Sequence, residues 1–156
     1  MASRIVSSSK VLDIYAPLLG ANSFYIYFIM DKSFGKKEKL KSKTLITQLF
    51  EEGSGISVYP LKLIYLSVEN IEVPIKTGVT VAKRNFKSAV DRNKIKRLLR
   101  ESYRLNKALV FNNTDANFAF LFLYLGKDMP TFEQLDHKMK LVLNKFKLQI
   151  DEKNNK

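Results

Sequence analysis

The basic segment at residues 83–107 constrains the fold more than any other part of the chain, because it must pack and carry charge at once. It holds ten Lys or Arg residues against two acids, Asp91 and Glu101, and so contributes +8 of the net charge of +12. A projection at about 100° per residue separates its cations from an opposing arc. That arc contains Ile95, Leu98, Leu99, Ser102, Leu105 and Asn106. We therefore predict a helix, capped at its start by Ser88, that docks on a sheet through this arc and presents cations on its other side.

Like charges are left uncompensated along the cationic side of this predicted helix. Pairs at helical spacing, such as Arg92 with Lys96 and Lys96 with Arg100, cost about 0.2–0.5 kcal/mol each. A solvated helix normally interleaves both signs, whereas phosphate groups would supply the missing negative charge here. The pI near 9.8 agrees with a polyanionic partner. The pattern favours a nucleic acid over a merely solvated face, but by itself it does not separate RNA from DNA.

The sequence offers no residues for protein-borne catalysis. It has no cysteine, which excludes a disulfide framework or a thiolate zinc site and is typical of a reducing, cytoplasmic location. The one histidine, His137, lies among lysines without a second catalytic group, so we expect it to be solvated. No nucleophile elbow or phosphate-binding glycine loop is present. We expect no catalytic residue and no metal site on the protein.

Hydrophobic patterning predicts three strands and two further helices around the basic segment. Apolar or β-branched runs predict strands at residues 61–68, 77–82 and 118–125, and residues 56–59 are a candidate for a fourth. Apolar residues at helical spacing before Gly53 predict a first helix that includes Ile46 and Phe50. Thr131 and Gln134 form a capping box that begins a final helix with an apolar stripe.

The two ends of the chain differ from the rest. Residues 11–29 are fairly apolar but are interrupted by Asp13, Pro17, Gly20 and Asn22, which disfavours a membrane span, and they lack a signal-peptide cleavage pattern. Met30 is an alternative start. We expect an N-terminal extension at residues 1–35, disordered or wrongly assigned, one domain at residues 36–150, and a disordered tail at residues 151–156.

Residues 80–103 read TVAKRNFKSAVDRNKIKRLLRESY. They closely resemble the signature of the bacterial ribonuclease P protein family, whose core is Ala-Val-x-Arg-Asn-x-x-Lys-Arg-x-x-Arg. The resemblance extends from about Leu40 to Ile150 and takes in Phe50 and Gly53, but it does not reach residues 1–29. It implies an α+β fold, a two-layer sandwich of a small mixed sheet and helices in the order αβββαβα, with a left-handed βαβ crossover at the basic helix.

The resemblance also implies a function. In that family the RNA subunit, with bound Mg²⁺, hydrolyses the phosphodiester between the 5′ leader and the mature part of precursor tRNA, and the protein is an accessory subunit that binds both RNAs. Contacts with the catalytic RNA are assigned to Lys83, Arg84, Lys87, Arg92, Asn93, Lys96, Arg97, Arg100 and Arg104.

A second implied surface is a leader-binding cleft between the first helix and the sheet. It would be lined by Phe50, Tyr65 and Ile46. Ile46 stands where the family has a further aromatic residue, so stacking at that position is an open question. Stacking on aromatic rings tolerates any base sequence, as leader binding requires. The alternative for Phe50 is a place in the core.

Three other functions remain as alternatives. A non-enzymatic RNA-binding protein, such as a ribosomal protein or an RNA chaperone, would explain the charge but not the full motif. A DNA-binding helix-turn-helix is disfavoured because a strand precedes the basic helix. A helix lying on a membrane surface would carry bulky aromatic residues on its apolar face. We therefore expect neither DNA nor a membrane as a partner.

Overall fold

The computed structural model describes residues 33–69, 71–110 and 116–156. Phe34–Lys156 form one compact unit. The predictions for residues 1–32 lie outside the described residues.

The order of elements is αβββαβα, as the family resemblance implied. The helices and strands are α1 (Lys43–Glu52), β1 (Ser54–Val58), β2 (Leu61–Val68), β3 (Ile75–Val81), α2 (Ala89–Asn106), β4 (Asn117–Tyr124) and α3 (Phe132–Asn154), and short 3-10 turns lie at Lys36–Glu38 and Lys107–Val110. The candidate fourth strand is confirmed as β1. Local capping fixes two helix starts: the Ser88 hydroxyl accepts from the Asp91 N–H at 3.4 Å, and Thr131 and Gln134 form the predicted capping box.

The four strands form one mixed sheet in the order β1-β2-β4-β3. β2 is antiparallel to both β1 and β4, whereas β3 and β4 are parallel. β4 lies inside the sheet with helices on both of its faces, so it is apolar nearly throughout rather than alternating.

The two faces of the sheet carry separate layers. On one face, Leu49 of α1 packs into a cluster with Ile64 and Leu121. On the other, Phe146 of α3 packs edge-on against Phe120 with a centroid distance of 4.8 Å. The sheet therefore separates the α1 layer from the layer formed by α2 and α3.

The connection from β3 through α2 to β4 is left-handed, which is rare for parallel strands. Thr77 is in register with Phe120 and so shares the face covered by α2 and α3. The Thr77 carbonyl accepts from the Leu40 N–H at 3.0 Å, away from β4, whereas the Pro74 carbonyl accepts from Phe118 of β4. In a strand of L-residues running upward, a residue whose side chain faces the viewer points its carbonyl to the right. Viewed from the side of α2 with β3 running upward, β4 therefore lies to the left of β3, which makes the crossover left-handed.

An N-terminal strap, residues 34–41, crosses the outer edge of β3 and reaches α2. Lys39 forms a parallel bridge with Thr77, and the Phe34 ring meets the Tyr103 ring edge-on at 5.7 Å. The compact unit therefore begins at Phe34 rather than at residue 36 as predicted.

The predicted disordered tail is wrong for residues 151–154. α3 continues to Asn154, and the Asn155 N–H donates to the Asp151 carbonyl at 3.1 Å. The polar composition of the last residues suggested a frayed end, but these residues continue α3, whose earlier turns are anchored on the sheet.

Candidate nucleic-acid interface

The loop between β3 and α2 is basic and firmly anchored. Phe86 is buried, with its ring 6.0 Å from that of Tyr124. The Arg92 guanidinium donates from Nη1 to the carbonyls of Phe86 at 2.7 Å and Lys87 at 2.9 Å. Asn85 donates to the Leu125 carbonyl at 3.3 Å. These contacts hold the loop backbone in place while its three cations, Lys83, Arg84 and Lys87, remain exposed.

The exposed side of α2 continues this basic surface. Asn93, Arg97 and Arg100 are exposed, whereas Lys96 is half-buried. At about 100° per residue, the three exposed side chains fall within about 60° of one another. Phosphates could approach them along a single stripe of the helix. Arg92 differs from the other predicted RNA contacts because its guanidinium hydrogen-bonds to carbonyls of the preceding loop.

The buried side of α2 is rotated from the predicted arc. Lys107, which was counted with the cations, and Tyr103, which was not part of the predicted arc, are each only 1% exposed, whereas Leu105 is exposed and Leu98 is half-buried. The reason is the N-terminal strap, which covers this side of the helix. Lys107 Nζ lies 2.8 Å from Glu38 Oε1 in a buried ion pair. Lys107 was counted among the uncompensated cations, and that part of the prediction is wrong.

Arg104 also has a carboxylate partner. Its Nε donates to Glu101 Oε2 at 3.0 Å, and this hydrogen bond lowers the pKa of the Glu101 carboxyl. Arg104 is therefore partly neutralised within its own helix. The uncompensated charge is concentrated at the start and middle of α2 and in the preceding loop, rather than along the whole segment.

A groove of about 280 Å³ lies between α1, the N-terminal strap and β3. Ile46 and Phe50 line it from α1, and Phe50 is 57% exposed, so it is not a core residue. Lys39 and Lys41 contribute from the strap, and Arg100 contributes from α2. The groove therefore combines an accessible aromatic ring with cations.

Tyr65 does not join Ile46 and Phe50 in this groove. It lies on the opposite face of the sheet, 3% exposed, with its ring 4.9 Å from Phe146 and its hydroxyl donating to Gln149 at 2.9 Å. Its neighbour Ile64 faces α1 instead. Side chains alternate between faces along a strand, so an assignment shifted by one residue selects the wrong layer.

Within the described ranges, no group of three or more histidine, cysteine or acidic side chains could hold a metal ion. His137 is exposed on α3. In the same part of the chain, no helix is long and apolar enough to span a bilayer.

A family model described as Ribonuclease P matches residues 34–147. The Ribonuclease P protein component of Porphyromonas gingivalis is 36% identical over 108 residues, covering 67% of this chain and 79% of that protein. That of Chlorobaculum tepidum is 32% identical over 124 residues, covering 69% of this chain and 80% of the relative.

Solved structures of the same name share the fold. The RNase P protein of Staphylococcus aureus superposes with a TM-score of 0.58 at 20% identity, covering 70% of this chain and 95% of that structure. That of Thermotoga maritima gives a TM-score of 0.56 at 20% identity, covering 69% and 96%. The fold described above is therefore shared with these solved structures.

Proposed function

The chain belongs to the ribonuclease P protein family, whose members are accessory subunits of an endoribonuclease, and from this we propose a division of labour between two of its surfaces. The basic surface, formed by residues 83–87 and the exposed side of α2, binds the catalytic RNA of ribonuclease P. The groove beside Phe50 binds the 5′ leader of precursor tRNA.

The observation that carries this proposal is that the two surfaces meet at Arg100. This side chain is exposed on α2, next to Arg97 and Asn93, and it also lines the groove that contains Phe50 and Ile46. A protein with this arrangement can contact the catalytic RNA and the leader at the same time. The anchored loop supports the same conclusion, since the backbone that bears its exposed cations is fixed before RNA arrives and less backbone entropy is lost on binding.

The residues contribute by binding and screening rather than by chemistry. Lysines and arginines placed between two RNAs reduce the repulsion between their phosphates, which favours the assembled complex. In the groove, the Phe50 ring offers a face for a base, worth about 1–3 kcal/mol per stacked base, while Lys39 and Lys41 attract the backbone. Ile46 adds apolar contact without aromatic stacking.

Mg²⁺ would be held mainly by the RNA subunit and would supply the hydrolytic chemistry there. The described protein residues include no carboxylate or histidine cluster suited to the ion. The protein's part in the proposal is to let the two RNAs approach at lower Mg²⁺ concentration. We place this activity in the cytoplasm, with neither DNA nor a membrane as a partner.

The decisive experiment is cleavage of precursor tRNA by the cognate ribonuclease P RNA at low Mg²⁺, with and without the protein. We expect the protein to restore cleavage, and mapping should place the new 5′ end at the mature tRNA terminus. If the protein binds RNA but does not improve cleavage by its cognate RNA, it is instead a non-enzymatic RNA-binding protein.

A further inference from the structure

Tyr59 is an exposed aromatic ring at the turn between β1 and β2. It is 68% exposed, more than any other large hydrophobic side chain among the described residues. Packing does not account for this ring, because a side chain so open to solvent contributes little to the core. Tyr59 lies at the end of the sheet away from the α1–β1 junction, outside the groove that contains Phe50.

A shallow basic groove adjoins this turn. Arg84, Asn85, Leu125 and Lys127 line it, and both cations are exposed. The Leu125 N–H donates to the carbonyl of Pro60, the residue after Tyr59, at 2.8 Å. The turn that bears Tyr59 is therefore hydrogen-bonded to a residue of the groove wall.

Hydrogen bonds fix the two loops that supply the cations. Asn85 donates to the Leu125 carbonyl at 3.3 Å, which ties the loop bearing Arg84 to the end of β4. The Tyr124 hydroxyl donates to the Asp128 carbonyl at 2.6 Å, which folds the segment bearing Lys127 back onto the sheet. The cations are thus held on a common frame.

An open aromatic ring on a turn that is hydrogen-bonded to a groove bearing two cations suits an unpaired nucleotide: the base can stack on the ring while the cations bind phosphates. Resting on the function proposed above, we propose that Tyr59, Arg84 and Lys127 form a further RNA contact, the sheet-end site. An unpaired nucleotide stacks on Tyr59 there, and its adjoining phosphates contact Arg84 and Lys127. The nucleotide belongs either to the catalytic RNA or to the precursor tRNA.

A single tryptophan can report this stacking directly, because the natural chain contains none. In Tyr59→Trp, we expect fluorescence quenching on binding the catalytic RNA if that RNA supplies the nucleotide, or only after precursor tRNA is added if the substrate supplies it. The matched control is Leu148→Trp on α3, at a side chain that is 62% exposed, which should show no quenching. Unchanged fluorescence of Tyr59→Trp in both arms, with binding verified by filter retention, would overturn the proposal.

Affinity gives a second readout. Tyr59→Ala should weaken binding of the RNA that quenches the reporter by on the order of 5- to 150-fold, the range expected for one stacked base. Lys127→Ala should weaken it more than Lys145→Ala, a change at an exposed lysine on α3. Unaltered affinity in Tyr59→Ala would contradict the sheet-end site, while stimulation of cleavage by the unmodified protein would still support the function proposed above.

Discussion

Neutralising Glu38 should lower the free energy of unfolding by far more than its place in a short N-terminal turn suggests. Its Oε1 lies 2.8 Å from Lys107 Nζ, with both side chains less than a tenth exposed, and its Oε2 accepts from the Gly35 N–H at 3.0 Å. Glu38→Gln keeps the shape but leaves the buried ammonium facing a neutral amide. Removing one partner of a buried pair costs about 3–5 kcal/mol, a large part of the roughly 5–15 kcal/mol by which a domain is stable.

The assay is urea unfolding followed by far-UV circular dichroism at neutral pH. With a slope of about 1–3 kcal/mol per molar urea, this loss corresponds to a fall of about 1–5 M in the unfolding midpoint of Glu38→Gln. The double variant Glu38→Gln, Lys107→Met removes both charges and should recover most of this loss, since replacing a whole buried pair is often nearly neutral.

The chain provides a matched control in a second ion pair of the same strap. Lys37 lies 3.5 Å from Glu72, but these side chains are 77% and 74% exposed. Lys37→Ala should therefore cost no more than about 1 kcal/mol. A loss for Glu38→Gln as small as that of Lys37→Ala would refute the reasoning from burial.

Three further predictions concern binding and acid stability. Arg97→Ala combined with Arg100→Ala should weaken RNA binding and flatten its salt dependence by about 0.7 in log–log slope for each lost single-strand phosphate contact. Phe50→Ala should impair cleavage of substrates with long leaders more than of those with a minimal leader, measured as kcat/KM for each. The free energy of unfolding should fall as pH drops below about 4. The native pKa values of Glu101 and Asp136 are lowered, so both carboxylates stabilise the fold above their unfolded pKa values. They lose that contribution as they protonate. Asp136→Asn should make this acid loss shallower.

Each of these has an internal comparison. An unchanged salt slope for the arginine variant would move the RNA contact away from α2, whereas Lys145→Ala on α3 should barely affect the slope. Leu49→Ala removes a fully buried neighbour of Phe50 on α1 and should impair long- and short-leader substrates equally. An equal loss in Phe50→Ala would instead indicate damage to the fold. Asp136 accepts from the Asn106 side-chain amide at 2.6 Å and lies 2.9 Å from Lys140 Nζ. Acid unfolding that is unaffected by Asp136→Asn would contradict a stabilising role for these contacts.

Local chemistry made much of the fold predictable. The cap at Ser88 and the box at Thr131 and Gln134 involve residues three apart, so the sequence itself contains both partners. The handedness of the crossover came with the family resemblance, since no local pattern encodes it.

The unpredicted features depend on contacts between distant parts of the chain. Lys107 meets Glu38 across 69 positions, so a projection of α2 alone could not show that this cation is buried. The placement of Tyr65 in the cleft was wrong for a different reason. Both sides of β2 are largely apolar, so the alternation of its residues does not indicate which side faces α1. Tyr59 was overlooked because an aromatic residue beside proline in a turn has no periodic signal.

The N-terminal strap has a consequence for the order in which the protein is built on the ribosome. Residues 34–41 are synthesised before the partners they bind, whereas a domain folds as a unit once its parts have emerged. The strap cannot dock until Thr77 of β3 and Lys107 at the end of α2 have both left the exit tunnel. Since Lys39 and Lys41 of the strap line the groove beside Phe50, that groove matures only after the basic helix is complete. Both surfaces also need β4, because Leu121 lines the groove and Tyr124 and Leu125 anchor the loop at Phe86 and Asn85. A nascent chain therefore completes its two RNA surfaces together, only after β4 has emerged.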